Sequence, residues 1–370
     1  MYRRPLHLDQ PNREYSIEEL MLQTVFHAWE RYLASVTKDR VVRPFEWGLE
    51  WVPKNGTAAE APPDVIAAWV SRVMADSDAF FTPAPTRDYQ LSAASQDGDR
   101  LLTFPSALDT PHADNNTVYC RVFPGRERKG SRARAAVLVL PQWNADPGGH
   151  MGLSKLLAMN GMTAVRMSLP YHDRRMPPEL HRADYIVSAN VARTLQVCRQ
   201  AVLDARRAIA WLASEGFDRI GILGTSLGSC LALLTTAHEP LLKAQALNHI
   251  SPYFADVVWR GLSTRHVREG LNGHIELDLL RELWKPISPR WYLERVRNRQ
   301  SLLVYARYDL TFPVDLSEDL VREFRELGIP HEVSALRCGH YSSGKAPFKF
   351  VDGWILTRFL KRALVERDRT

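Results

Sequence analysis

From Ala136 onward, short apolar runs alternate with longer amphipathic ones, and this alternation confines the chain to few architectures. Residues 136–140, 163–168, 219–223, 244–249, 302–305 and 331–336 read as strands. Between and after them, 150–159, 188–214, 227–237, 316–327 and about 350–365 read as helices. In the long helix over 188–214, Val191, Leu195, Cys198, Val202, Ala205, Ile209 and Leu212 recur at steps of four and three, which puts all seven on one face. Gly161 and Gly216 stand where helices end. The strands are apolar along their length, so both sides of the sheet must be covered. The fold class expected is α/β, a mostly parallel sheet flanked by helices.

Two departures from this rhythm stand out. Residues 100–105 and 117–123 are β-rich and separated by turn formers, which predicts a hairpin ahead of the parallel strands. Residues 1–88 look helical instead. Ser16-Ile17-Glu18-Glu19 reads as a capping box, followed by Leu20, Phe26, Trp29, Tyr32 and Leu33 at helical spacing. A second helix is expected over 63–77, with proline in its first turn, and Pro44, Phe45, Trp47 and Trp51 lie between the two. This segment is expected to be an extension packed on a main domain of residues 89–370, structural more than substrate-gating. A further stretch, about 253–297, reads as a helical cap insertion between two strands. Its Trp259, Trp284 and Trp291 suit either an apolar lid or packing onto the core.

The chemistry concentrates on Gly224-Thr225-Ser226-Leu227-Gly228, a G-x-S-x-G sequence lying between an apolar strand and an apolar helix. A turn this tight excludes side chains at the two glycines and holds the Ser226 hydroxyl outward. The helix that follows aims its N-terminus at developing negative charge. A serine hydroxyl needs a base, and the order that goes with this turn is serine, acid, histidine. Asp309 follows the strand 302–305, and His340 follows the strand 331–336. Asp315 competes for the acid's role but sits where a helix N-cap is expected. The preceding strand offers Asn248, His249 and Ser251, with no carboxylate before Asp256. For an oxyanion hole, one N–H would come from Leu227 and the other from Trp143 or Gln142, Pro141 having none. His172, in a loop on the carboxyl edge of the sheet, is a candidate for substrate binding, with Tyr253 and Trp259 from the insertion. The alternative for His172 and Asp173 is a loop salt-bridged to Arg174 and Arg175.

On these motifs residues 100–366 resemble the α/β-hydrolase superfamily, and in particular its bacterial esterase/lipase-like branch, in which an N-terminal extension precedes the core. Relatives carry His-Gly where this chain has Gln142-Trp143. The resemblance implies a serine hydrolase that cleaves a carboxylic ester through an acyl-enzyme on Ser226. Similar architecture serves carbon–carbon hydrolases of diketones, such as the pseudooxynicotine type, which is the alternative reading. A catalytically silent scaffold that binds a partner is the third, and the complete serine, acid and histidine set argues against it.

Composition excludes other classes. Charged residues are 24% of the chain and hydrophobic ones 45%, ordinary for a folded protein, with a net charge of only +6. Arg126, Arg128, Lys129, Arg132 and Arg134 cluster around Gly130, which suits a solvated loop better than a nucleic-acid surface, and no nucleic-acid motif accompanies them. No grouping has metal-ligand spacing and no glycine loop could cradle a phosphate, so neither metal nor other cofactor is expected. Cys120, Cys198, Cys230 and Cys338 show no C-x-x-C pattern, the N-terminal sequence lacks an apolar signal core, and no run is long enough to span a bilayer. A cytoplasmic enzyme acting on a small-molecule ester is expected, with the oligomeric state, homodimer included, left open.

Overall fold

A computed structural model describes residues 17–53, 61–126 and 134–366. Three helices come first, α1 (Ile17–Ser35), α2 (Pro62–Ala75) and α3 (Ser77–Phe81). Then come β1 (Gln90–Leu91), β2 (Arg100–Pro105), β3 (Thr117–Phe123), β4 (Ala135–Leu140), α4 (Met151–Met159) and β5 (Met162–Met167). The chain continues through α5 (Val191–Ser214), β6 (Arg219–Thr225), α6 (Leu227–His238) and β7 (Leu242–Asn248). Short helices α7 (Phe254–Arg260), α8 (Arg265–Leu271) and α9 (Leu277–Leu283) fill the expected insertion, ahead of β8 (Gln300–Ala306), α10 (Val314–Glu326), β9 (His331–Leu336) and α11 (Phe348–Leu364).

The nine strands make one sheet in the order β1-β2-β3-β5-β4-β6-β7-β8-β9. The first three and the β3–β5 contact are antiparallel, and every later ladder is parallel. The expected hairpin and the expected α/β alternation are therefore both present. Along β4 the side chains divide between two apolar layers. Ala136, Leu138 and Leu140 enter the layer shared with α5 and α6, while Val137 and Val139 enter the layer shared with α4 and α11. All seven residues of the α5 stripe are fully buried. That helix starts at Val191, three residues later than expected, because the Asn190 side chain caps it by accepting the Arg193 N–H.

The extension packs differently from its apolar pattern. In α1, Leu20 and Tyr32 are exposed, while Glu30 and Ala34 are fully buried and Phe26 stacks on Tyr308 at 4.8 Å. The helix is where the spacing put it, but turned so that a glutamate faces inward. Ser16 of the capping box, and Arg128, Lys129 and Arg132 of the basic cluster, lie outside the described residues. Among the described residues no helix is long and apolar enough to cross a membrane.

The register of the parallel strands brings their ends level. Leu140 lies beside Gly224, Thr225 beside Asn248, and Ala306 beside Leu336. The carboxyl ends of β4, β6, β7, β8 and β9 thus share one edge of the sheet, and the loops that leave them meet there.

Candidate active site

Ser226 occupies the turn between β6 and α6 with φ 57° and ψ −121°, a conformation that costs a non-glycine residue and persists only where its surroundings impose it. The surroundings are the two glycines. A Cβ on Gly224 would lie 2.1 Å from the Gly228 carbonyl oxygen, and one on Gly228 would lie 2.3 Å from that of Leu140. Strand and helix can approach this closely only because both positions are bare. The Ser226 N–H donates to the Asn248 carbonyl (2.8 Å), and the Ser229 hydroxyl donates to the Ser226 carbonyl (2.6 Å). Peptide groups on both sides of Ser226 are thereby fixed.

His340 and Asp309 complete a hydrogen-bonded chain. His340 Nε2 is 3.1 Å from Ser226 Oγ, and His340 Nδ1 is 2.9 Å from Asp309 Oδ2. With Nδ1–H donated to the carboxylate, Nε2 presents its lone pair to the serine hydroxyl. Phe312 stacks on the imidazole with centroids 5.3 Å apart and limits its tilt. Asp309 Oδ1 accepts the N–H groups of Thr311 (2.8 Å) and Phe312 (2.7 Å). Burial alone would raise the Asp309 carboxyl, but the His340 charge and hydrogen bonds from His249 and His340 hold it well below the usual carboxylate range.

His249 joins this chain without having been anticipated there. Its Nδ1 also lies against Asp309 Oδ2, at 3.1 Å, and its Nε2 is 3.1 Å from Ser343 Oγ. The Ser343 hydroxyl is already donated to the His340 carbonyl (2.7 Å), so toward His249 that oxygen can only accept. With that hydroxyl so directed, both nitrogens of His249 donate, the arrangement of an imidazolium paired with Asp309. Burial opposes that charge, but the Asp309 hydrogen bond and charge, with Asp352 and Glu30 farther off, raise its proton affinity above the ordinary value. His249, Asp309 and His340 could group around a cation, but the two imidazole–carboxylate contacts of 3.1 and 2.9 Å are accounted for by hydrogen bonds.

Asp315 is not the helix cap that its position suggested. Pro313 precedes α10, and Asp315 forms a two-pronged ion pair with Arg260 (2.8 Å for each bond). The strand after β6 contributes no acid, as expected, and Asp256 is committed to Arg281 (2.5 Å).

The loop after β4 is pinned at several points. Asn144, at φ 56°, donates its N–H to His172 Nε2 (2.9 Å), and its side-chain oxygen accepts the Ala183 N–H (2.7 Å). The Trp143 indole donates to the Ala183 carbonyl (2.8 Å). The N–H groups of Gln142, Trp143 and Leu227 have no acceptor among the described residues.

The three pocket candidates fall elsewhere than expected. His172 is buried behind the wall, supporting Asn144, with its Nδ1–H donated to the Pro170 carbonyl (2.9 Å). Tyr253 turns inward and donates its hydroxyl to Glu323 (3.1 Å), and Trp259 lies under the Arg268 guanidinium. None of them lines the cavity at Ser226. Phe254, Val257 and Val258 of α7 do so instead, so the insertion contributes to the cavity through different residues. Trp284 is packing: it is fully buried and donates to the Val191 carbonyl (2.9 Å). Asp173 is salt-bridged, but to Arg166 (2.6 Å), while Arg175 pairs with Asp204 (2.8 Å).

The cavity, about 890 Å³, opens over Ser226 and His340. Its wall includes Thr37, Asp39 and Arg40 from the segment after α1. That segment and α1 also reach the loop that carries His340. Glu30 accepts the N–H groups of Tyr341 (2.8 Å) and Ser342 (2.9 Å), the two residues after His340, and Arg40 donates to the Tyr341 hydroxyl (2.5 Å).

Neither protein-family profiles nor the sequences of curated proteins match the chain. Solved structures do. Acylaminoacyl peptidase from Pyrococcus horikoshii aligns with a TM-score of 0.57 at 15% identity over 75% of this chain, which spans only 42% of that one. Acetyl xylan esterase from Paenibacillus sp. R4 aligns with a TM-score of 0.58 at 14% identity, covering 85% of this chain and 99% of its own. A lipase in its open form gives 0.52 at 12% identity over 70% and 97%. At such identities the likeness speaks for architecture, and with the sheet order and helix layers it shows that this chain has the α/β-hydrolase fold.

Proposed function

We infer that the protein is a serine hydrolase that cleaves a carboxylic ester by way of an acyl-enzyme. The observation that carries this reading is the unbroken line from Ser226 Oγ through His340 to Asp309 Oδ2, with contacts of 3.1 and 2.9 Å at the floor of a cavity. His340 Nε2 takes the hydroxyl proton as Ser226 Oγ attacks the ester carbonyl. The resulting oxyanion is held by the N–H of Leu227 and by that of Trp143 or Gln142, and the N-terminal end of α6 favours its charge. The protonated His340 then delivers its proton to the departing alcohol. Water, activated by the same nitrogen, releases the acid and restores the serine.

Asp309 keeps the imidazole in the tautomer that exposes Nε2. The neighbouring esterase and lipase folds favour ester chemistry, and the apolar residues Leu227, Phe254, Val257 and Val258 on the cavity wall suit an acyl chain. A fluorophosphonate probe tests the reading directly. It should label Ser226, and Ser226→Ala should abolish both labelling and turnover of p-nitrophenyl esters, a loss of several orders of magnitude, without changing the unfolding midpoint. Labelling at another serine, or unchanged turnover in the alanine variant, would overturn it.

A further inference from the structure

Buried hydrogen-bond donors in a folded protein are nearly always satisfied, so a cluster that is not points to something that should lie there. Such a cluster includes two residues of the cavity wall, Arg40 and Arg182. Arg40 Nε, Arg182 Nε and both ring nitrogens of His266 are buried and make no hydrogen bond among the described residues, though Arg182 Nε faces Asp184 Oδ1 at 3.5 Å. The groups belong together. Arg182 lies over the Trp143 ring at 4.7 Å, and His266 stacks on the other part of this aromatic group, its ring 5.6 Å from that of Trp143. Burial first, and then the Arg182 and Arg40 charges, push His266 down to about 4, so both guanidiniums are within electrostatic reach of the imidazole.

The charges do not cancel. Arg182 reaches Asp39 (3.1 Å) and lies 3.5 Å from Asp184, which Arg43 also engages at 3.1 Å. Arg40 has a tyrosine hydroxyl and no carboxylate among the described residues. Three arginines thus face two aspartates, and the uncompensated cation, Arg40, is on the cavity wall beside Arg182. The two guanidiniums form a donor-only pair, which matches an oxyanion carried by a ligand, while the neutral His266 beside Trp143 offers one donor and one acceptor.

We propose that Arg40 and Arg182 form an anion subsite of the cavity, which takes a carboxylate or phosphate group borne by the ester substrate. This deepens the ester-hydrolase reading and rests on it for the word substrate, though binding itself does not require turnover. The subsite lies next to Trp143 and Tyr341, so an anion held there would leave the scissile carbonyl free to approach Ser226. The substrate class follows: esters whose acyl or alcohol part ends in a negative charge, in preference to neutral ones of equal length.

Calorimetry on the whole protein with Ser226→Ala, titrated with hexyl phosphate, hexanoate and hexanol, tests the subsite without chemistry. The phosphate or the carboxylate should bind at least tenfold tighter than the alcohol, with the difference shrinking as salt rises. Whichever of the two binds tighter identifies the group. In Arg40→Gln, checked for an unchanged unfolding midpoint, the preference should fall about tenfold, and Arg40→Lys should restore part of it. In parallel, the wild-type preference for mono-p-nitrophenyl adipate over p-nitrophenyl hexanoate should fall in Arg40→Gln. Equal binding of all three ligands, or a preference that Arg40→Gln leaves intact, overturns the subsite. Anion binding without hydrolysis of any ester would keep the subsite and refute the ester-hydrolase reading; hydrolysis without charge preference would do the reverse.

Discussion

Four donors converge on the Asp309 carboxylate, two backbone N–H groups on one oxygen and two imidazoles on the other. An amide in its place keeps the shape but cannot accept at every one of these points, and it no longer stabilises a protonated His340. Asp309→Asn should lower turnover by roughly 10³–10⁴-fold. Asp315→Asn, by contrast, only weakens a partly exposed ion pair with Arg260, so it should keep turnover within a factor of a few and cost about 1 kcal/mol or less. Assaying both on one ester at neutral pH separates the acid from its neighbour. His249 acts on the same carboxylate in another way. Its ring centroid is 4.6 Å from that of His340, and when protonated it offsets part of the Asp309 field. Without that charge His340 should protonate more readily, so in His249→Gln the acid limb of kcat/KM should move up by about one pH unit. The groups facing His249 are Asp309, His340, Asp352 and Glu30, and all remain in that variant. Folding lowers Asp309 and raises His249, so their pairing supports the fold between the ordinary carboxylate and imidazole ranges. The support fades as pH falls through the lowered Asp309 value or climbs through the raised His249 value. The unfolding midpoint of wild type minus that of His249→Gln should be largest inside that window; a flat difference and an unmoved acid limb would show that His249 only fills space.

At the scale of elements, the sequence was most legible where the period was clean. The α5 stripe, the six strands from β4 to β9 and the turn around Ser226 all lie within a few residues of where spacing put them, because apolar periodicity and bare glycines are local signals. In α1 the period was right and the face right only in part: Phe26 turns inward as expected, while Leu20 and Tyr32 are exposed. Phe26, Glu30 and Ala34 share the inward side at four-residue steps, and nothing local marks Glu30 as buried, since its partners are the N–H groups of Tyr341 and Ser342. His249 escaped for a similar reason. It follows β7 at φ 55°, and its bond to Asp309 depends on the register that sets β7 beside β8. Pocket residues in the insertion were misplaced by a rotation of α7, whose Val257 and Val258 face the cavity while Trp259 does not. The worth of the α1 contact can be measured by removing its carboxylate. Glu30→Ala leaves two buried N–H groups without an acceptor, at about 1–3 kcal/mol each. It should lower the unfolding midpoint and cut kcat by about tenfold or more on the shortest ester through misplacement of His340. A wild-type kcat in a folded variant would reduce the helix to a mere support.

For the whole molecule, the sheet edge gathers residues that are far apart along the chain. Ser226, Asp309 and His340 follow β6, β8 and β9 of one sheet, while Arg40 and Glu30 arrive from a segment that precedes all nine of its strands. Alternation announced a mostly parallel sheet covered on both faces, but neither the order of its strands nor the direction from which the extension arrives.

The contact between Glu30 and Tyr341 closes late in the life of the chain. The two residues are 311 positions apart, so at the usual pace of translation, ~5–20 residues per second, roughly 15–60 s separate their synthesis. Until then the emerging polypeptide can fold its elbow and display Ser226, but the imidazole that would arm it does not yet exist, and the glutamate meant to seat that imidazole waits on a helix with nothing to hold. A nascent chain of this protein carries Ser226 before it carries His340, and Glu30 must meet the segment that follows His340 before that histidine is seated.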